Sequence, residues 1–176
     1  MKKSTRYSLV KLAVLALLTA LSVVLSRFLS IQTPVTKIGF SFLPIAFAGV
    51  LFGPFGGALA GGLADLIGAL LFPIGAYFPG YTLTAALTGA IYGFAWYKKR
   101  SPLRVVTAVA FKQVVCSLLL NTLWITLTAK TSKGFFVYLS TRLPQFFIMT
   151  AVEIAVLLLL FAVRLPERLQ KLLSET

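Results

Sequence analysis

Histidine is absent from the 176 residues, and only four side chains are acidic against 17 lysines and arginines. Without histidine the chain lacks the commonest general base and metal ligand. The single cysteine, Cys116, excludes a disulfide framework or a thiolate metal site built within the chain. Its place inside an apolar run suits a small packing side chain. No G-x-x-x-x-G-K-[ST] loop occurs: Gly53-Pro54-Phe55-Gly56-Gly57 has glycines but not the lysine, so the chain cannot cradle and hydrolyse ATP by itself. No nucleophile has a base with an orienting partner. An aspartyl enzyme in the membrane would need two juxtaposed acids, and a lysine, Lys112, at the depth expected for Asp65 and Glu153 argues for charge balance instead. The expectation is a protein that is not an enzyme and has no cofactor and no metal.

What is present is apolar. Hydrophobic residues make up 59% of the chain and charged ones 12%, about half the charged share of a soluble domain. Runs such as Leu9 to Ser26 and Ala151 to Val163 are almost free of charge and approach the roughly 20 residues that cross a bilayer core. The net charge of +13 admits nucleic acid, anionic lipid or an acidic ligand, and placement separates them. The cations gather at the ends of apolar runs, at Lys2, Lys3, Arg6 and Lys11, at Lys98, Lys99, Arg100 and Arg104, and at Arg164, Arg168 and Lys171. Those are the positions of topology signals, not of a nucleic-acid face. The first apolar run is long for the apolar region of a signal peptide, so a cleaved leader is not expected.

Spans are expected at about 9–27, 41–53, 55–72, 80–97, 103–128 and 138–164. The stretch from Ser41 to Phe72 is too long for one crossing, and the break is expected at Gly53-Pro54. That split places both basic ends and Lys98 to Arg100 on one side, as the positive-inside tendency prefers. The fold expected is therefore all-α and polytopic, one domain over 1–176 of six transmembrane helices, with cytoplasmic termini. Outer loops fall at about 28–40, 73–79 and 129–137. The first is long, and Gln32-Thr33-Pro34 begins an extended segment; it reads equally as a lid or as a connector.

Three ionisable residues lie inside spans, Asp65, Lys112 and Glu153, each at about 14 to 17 Å from a cytoplasmic helix end and so at a common level. Such groups face a cavity or a partner, and an ion pair of Lys112 with Glu153 or with Asp65 leaves one carboxylate over. Arg142, Gln145, Met149 and Glu153 share a narrow arc of the last span, and Gln113, Ser117, Asn121, Trp124 and Thr128 a stripe of the fifth. These stripes suit a cavity wall, although hydrogen bonds between helices would use the same groups. Phe72, Tyr77, Phe78, Tyr81 and Trp124 suit a membrane-interface belt or a stack on a planar ring. Ala13, Ala16 and Ala20 form a small-residue face on the first span, and Gly57, Ala60, Gly61, Ala64 and Gly68 one on the third, where internal packing is expected.

The segments Arg27-Phe28-Leu29-Ser30-Ile31-Gln32-Thr33-Pro34, Ser41-Phe42-Leu43-Pro44, Ala64-Asp65-Leu66-Ile67-Gly68, Phe78-Pro79-Gly80-Tyr81 and Asn121-Thr122-Leu123-Trp124 resemble the substrate-binding S components of energy-coupling factor (ECF) vitamin importers, in their folate-specific type. The resemblance runs over essentially the whole chain. It implies a bacterial plasma membrane, and a complex with a transmembrane coupling subunit and two ATPases that topples the S component to deliver its vitamin inward. It also implies docking of that coupling subunit on Ala13, Ala16 and Ala20, and gates at Gln32-Thr33-Pro34 and Phe78-Pro79-Gly80-Tyr81. For folate, Glu153 or Asp65 with Asn121 and Gln113 would meet the pterin, and Arg142 or Arg27 the anionic tail. Gln32, Phe78, Tyr81, Trp124 and Gln145 complete the expected contacts. An S component for riboflavin, pantothenate or thiamine, and a stand-alone carrier, are the rival readings.

Overall fold

The computed structural model describes residues 3–32, 37–74, 77–97, 101–129 and 134–163. Helix α1 (Lys3–Arg27) leads into a small antiparallel hairpin, β1 (Ser30–Gln32) and β2 (Lys37–Gly39), registered by Ser30 opposite Gly39, Ile31 opposite Ile38 and Gln32 opposite Lys37. Helices α2 (Phe42–Leu71) and α3 (Pro79–Trp96) follow. A further rod of 27 residues, Pro102–Thr128, consists of α4 (Pro102–Lys112), a π-helical segment (Gln113–Leu120) and α5 (Asn121–Thr128). Helix α6 (Phe135–Ala162) closes the described chain.

Among the described residues, four helices are long and apolar enough to cross a bilayer: Leu9–Arg27, Phe42–Leu71, Pro102–Thr128 and Phe135–Ala162. The surface is inverted relative to a water-soluble protein. Leu12, Leu17, Leu70, Phe94, Leu127 and Phe136 are exposed, while Thr84, Lys112, Gln113, Thr122, Arg142 and Glu153 are buried. Apolar side chains facing out and polar ones facing in is the distribution that hydrocarbon selects, because lipid cannot satisfy a hydrogen-bonding group.

Helix α2 is broken where the sequence suggests. Gly53 adopts φ +80° and ψ −172°, a backbone conformation that side chains with a Cβ rarely take. Pro54 follows without an N–H to continue the helical bonding. A Cβ on Gly57 would lie 2.9 Å from Gly49 Cα, whereas eight residues of straight helix would separate the two by about 12 Å. The limbs on either side of Gly53 therefore fold back on each other.

Helix α3 lies against both limbs. A Cβ on Gly49 would meet Gly93 N at 2.7 Å, one on Gly93 would collide with Pro54, one on Gly89 with Gly57 O, and one on Gly61 with Ala85 O. Missing side chains let the backbones approach, so close dispersion contact does the work that the hydrophobic effect does in water. Gly57, Ala60, Gly61, Ala64 and Gly68 are all buried, Gly68 against the Arg27 side chain of α1. Ala13, Ala16 and Ala20 of α1 are all exposed.

At one end the bundle is filled by Tyr92 stacked on Trp96 (centroids 4.9 Å apart) with Phe161 edge-on to Trp96, over Val105, Val109 and Leu157. Polar side chains gather at the other end. The residues expected as gates take defined local structure there. Pro79, Gly80 and Tyr81, expected in a gating loop, are the first turn of α3, since proline at a helix start presets φ and leaves no orphan N–H. Gln32 ends β1 in a paired hairpin, while Thr33 and Pro34 lie outside the described residues. So do the basic positions Lys2, Lys98 to Arg100, Lys130, Lys133, Arg164, Arg168 and Lys171.

The seam between α2 and α3 generates a paired prediction. Gly89→Ala puts a methyl into Gly57 O and should destabilise the bundle by about 1–3 kcal/mol. Gly62→Ala meets only Ala86 Cβ at 3.4 Å and should be neutral or stabilising. Thermal unfolding in detergent checks both; equal transition temperatures for the two variants would contradict the seam.

Candidate functional site

The polar end encloses a cavity of about 740 Å³, within the usual size range of small-molecule sites. Its deepest charges are paired. Lys112 Nζ donates to Glu153 Oε1 at 2.6 Å, and the Tyr92 hydroxyl donates to Oε2 at 2.9 Å. Both side chains of the ion pair are almost wholly buried, and each carboxylate oxygen has its donor. This joins α3, α4 and α6 at one point.

The π-helical segment shapes the adjoining wall. The Asn121 N–H reaches Cys116 O, five residues back, so the turn is wider than in an α-helix. Gln113, Cys116, Ser117, Leu118 and Asn121 all face the cavity as a result. Gln113 is 1% exposed, and its Nε2 has no hydrogen-bond partner in the protein, a donor whose burial is costly until something accepts from it. From α6, Arg142 reaches the wall and donates from Nη2 to the Ser117 carbonyl at 3.0 Å.

At the rim Asp65 Oδ2 accepts from Thr82 Oγ1 at 2.8 Å, and Arg27 Nη2 stands 3.9 Å from Oδ1. Lys37, from β2, lines the same region. Burial, and then the Arg27 charge, lower its pKa to about 8, with Asp65 pulling the other way. The Lys37 carbonyl accepts from Gln145 Nε2 at 2.6 Å, tying the hairpin to α6. Beside the rim Phe78 lies 5.5 Å from Trp124 and 6.2 Å from Tyr81, centroid to centroid, and the Trp124 indole N–H donates to Thr84 Oγ1 at 2.9 Å. A Cβ on Gly80 would come within 2.6 Å of that indole, so glycine is what lets the ring lie on the α3 backbone.

The arrangement is a container. It offers amide donors, an aromatic wall and more positive than negative charge; among the described residues no group of three or more acids and cysteines could hold a metal.

Residues 10–161 match the family model for the ECF transporter, substrate-specific component. This chain belongs to that family. As an S component it is 43% identical to the folate transporter FolT of Clostridium novyi (strain NT) over 145 residues, 81% of this chain and 83% of the relative. It is 32% identical to the folate transporter FolT of Leuconostoc mesenteroides subsp. mesenteroides over 147 residues, 81% and 79% of the two chains. A crystal structure of FolT bound with folic acid superposes with a TM-score of 0.78 at 37% identity, covering 82% of this S component and 88% of that chain.

The expected site residues distribute as follows. Arg27, Asp65, Phe78, Tyr81, Gln113, Asn121, Arg142, Gln145 and Glu153 all line the cavity. Trp124 stands just behind, packed on Phe78, and Gln32 is placed only as the end of β1. The common level expected for the three intramembrane charges does not hold. Lys112 and Glu153 pair deep, whereas Asp65 sits with Arg27 at the end of α1 and Thr82 in the first turn of α3. Asp65 is six residues, about 9 Å, from the end of α2 at Leu71.

Several residues were not singled out from sequence. Thr84, Thr88, Tyr92 and Trp96 are buried at four-residue spacing on α3, a polar stripe comparable to those on the fifth and sixth spans. Cys116, read as packing, faces the cavity. Lys37 lies in the first outer loop, where no periodicity marks its direction.

The buried pair predicts non-additive stability. Lys112→Met or Glu153→Gln alone should cost about 3 kcal/mol or more, by stranding the other charge or its donors, and the double variant should recover most of that loss. Thermal unfolding of the ligand-free protein in detergent measures it. Additive losses would mean that the pair does not hold the floor together.

Proposed function

We propose that this S component binds folate from outside the cell and hands it inward as part of an ECF importer. The observation that carries the reading is the likeness, at 37% identity and a TM-score of 0.78, to FolT bound with folic acid; the cavity chemistry supports it independently. Folate joins a flat ring with adjacent N–H donors and an oxo acceptor to an anionic glutamate tail. The wall offers amides at Gln113 and Asn121, ring surfaces at Phe78, Tyr81 and Trp124, and cations at Arg27 and Arg142 that can grip carboxylates through a fork of donors. Both Glu153 oxygens already have donors within the protein, and Asp65 is engaged by Thr82 and Arg27 at the rim. The buried Gln113 amide, whose Nε2 has no partner in the protein, is therefore the strongest candidate to meet the pterin.

The rest of the reading concerns topology and partners. The reversal at Gly53 supports six spans, with the amino and carboxyl ends in the cytoplasm of a bacterial plasma membrane. The exposed Ala13, Ala16 and Ala20 offer a smooth face to a transmembrane coupling subunit, whose two ATPases supply the energy for toppling. The hairpin and the start of α3 form the gate over the cavity, and the chain itself catalyses no reaction.

Calorimetric titration of the purified chain tests the ligand. Folic acid should bind, and riboflavin, pantothenate and thiamine should not. Arg142→Ala should weaken folic acid at least about tenfold, the scale of a lost charge-assisted pair. Tight binding of another vitamin, with none of folic acid, would overturn the reading.

A further inference from the structure

Four cationic side chains, Arg27, Lys37, Lys112 and Arg142, and two anionic ones, Asp65 and Glu153, line the cavity. At depth, Lys112 and Glu153 touch at 2.6 Å and offset each other. At the rim the single carboxylate of Asp65 faces two cations, Arg27 and Lys37. The rim is thus positive, and it is partly buried, where an anion is attracted with less screening than at an open surface.

Lys37 is also held in place. Its strand is registered against β1, with Lys37 opposite Gln32. Its carbonyl is fixed to α6 through Gln145. A side chain on a backbone tied at two points gives up less freedom when it grips a ligand. The cost of keeping this ammonium charged beside Arg27 in a partly buried place is visible in its lowered pKa, and a ligand carboxylate would relieve that cost.

Resting on the folate reading above, we infer that Lys37 reads the anionic glutamate tail of the ligand, so that the β1–β2 hairpin supplies a specificity-determining charge to the site as well as covering it. Carboxylates are the ligand groups most expensive to strip of water. They belong at the rim, while the flat ring goes deeper toward the buried Gln113 donor. Binding the tail raises the Lys37 pKa, so near pH 8 the complex takes up protons, and affinity for the tail falls as pH rises through the free-state value of about 8. The charged and titratable groups around Lys37 are Arg27 of α1, Asp65 of α2, Tyr77 ahead of α3 and, one turn from Gln145 on α6, Arg142.

The test compares folic acid with its bis-amide, in which both glutamate carboxylates are neutral. The ring is the same in both, so any titration of the ring cancels in their affinity ratio. Dissociation constants are measured for the unmodified chain, Lys37→Met and Lys37→Arg at about pH 7 and about pH 9.5, on either side of the Lys37 titration. The unmodified chain should prefer folic acid, and more strongly at the lower pH. Lys37→Met should lose about tenfold for folic acid, as expected for one charge-assisted contact, with the bis-amide unchanged. Lys37→Arg should keep the preference and lose its pH dependence. An equal loss for both compounds in Lys37→Met would assign Lys37 to hairpin structure alone, and an unchanged ratio would remove it from the tail site; either overturns the inference while leaving the folate reading intact. Failure of the unmodified chain to bind folic acid would overturn the folate reading itself, and this inference with it.

Discussion

The carboxylate of Glu153 receives Lys112 on one oxygen and Tyr92 on the other, and the rest of the site is arranged around that contact. In hydrocarbon a lone carboxylate or ammonium is too costly to keep, so the three side chains hold α3, α4 and α6 at a common depth. Below them Tyr92 stacks on Trp96 and Phe161 completes the aromatic cluster. Above them the helices diverge around a space that polar side chains can line. A buried ion pair commonly does little for stability on its own. Its consequence here is geometric: it separates an aromatic end from a polar one.

Two backbone devices then shape the space. Glycines along α2 and α3 bring those helices into backbone contact. On the opposite side the π-helical segment between α4 and α5 widens the turn and directs Gln113, Cys116 and Asn121 inward together. The hairpin contributes Lys37 and Gly39 to the lining and is joined to α6 by the Gln145 amide. Packed walls with one separately attached hairpin suit a protein that must enclose a ligand and later release it. The exposed small-residue face of α1 lies outside the cavity lining.

The helices were legible because apolar runs and their glycine and proline breaks are strong local signals. Gly53-Pro54 marked the break in α2, where Gly53 takes a positive φ. The stripe Arg142, Gln145, Met149 and Glu153 was legible for the same reason: helix α6 keeps an α-helical period over that stretch, and all four face the cavity. What sequence could not reveal was pairing between distant elements. Asp65 and Glu153 looked equivalent, yet one is joined to Arg27 at the rim and the other to Lys112 at the floor. The π-helical segment escaped because a pattern counted at 100° per residue assumes the α-helix. Lys37 escaped because strand direction in a two-stranded hairpin has no signature over three residues.

These elements describe a vessel with a neutral floor, an aromatic and amide wall, and a positive rim, and folate has matching parts in the same order. A structure of this chain determined with folic acid tests that correspondence most directly. The account predicts the ligand inside the cavity, its ring toward Gln113 and its glutamate carboxylates at the rim. Folic acid lodged elsewhere on the protein, or seated with its carboxylates against the Lys112–Glu153 floor, would contradict it.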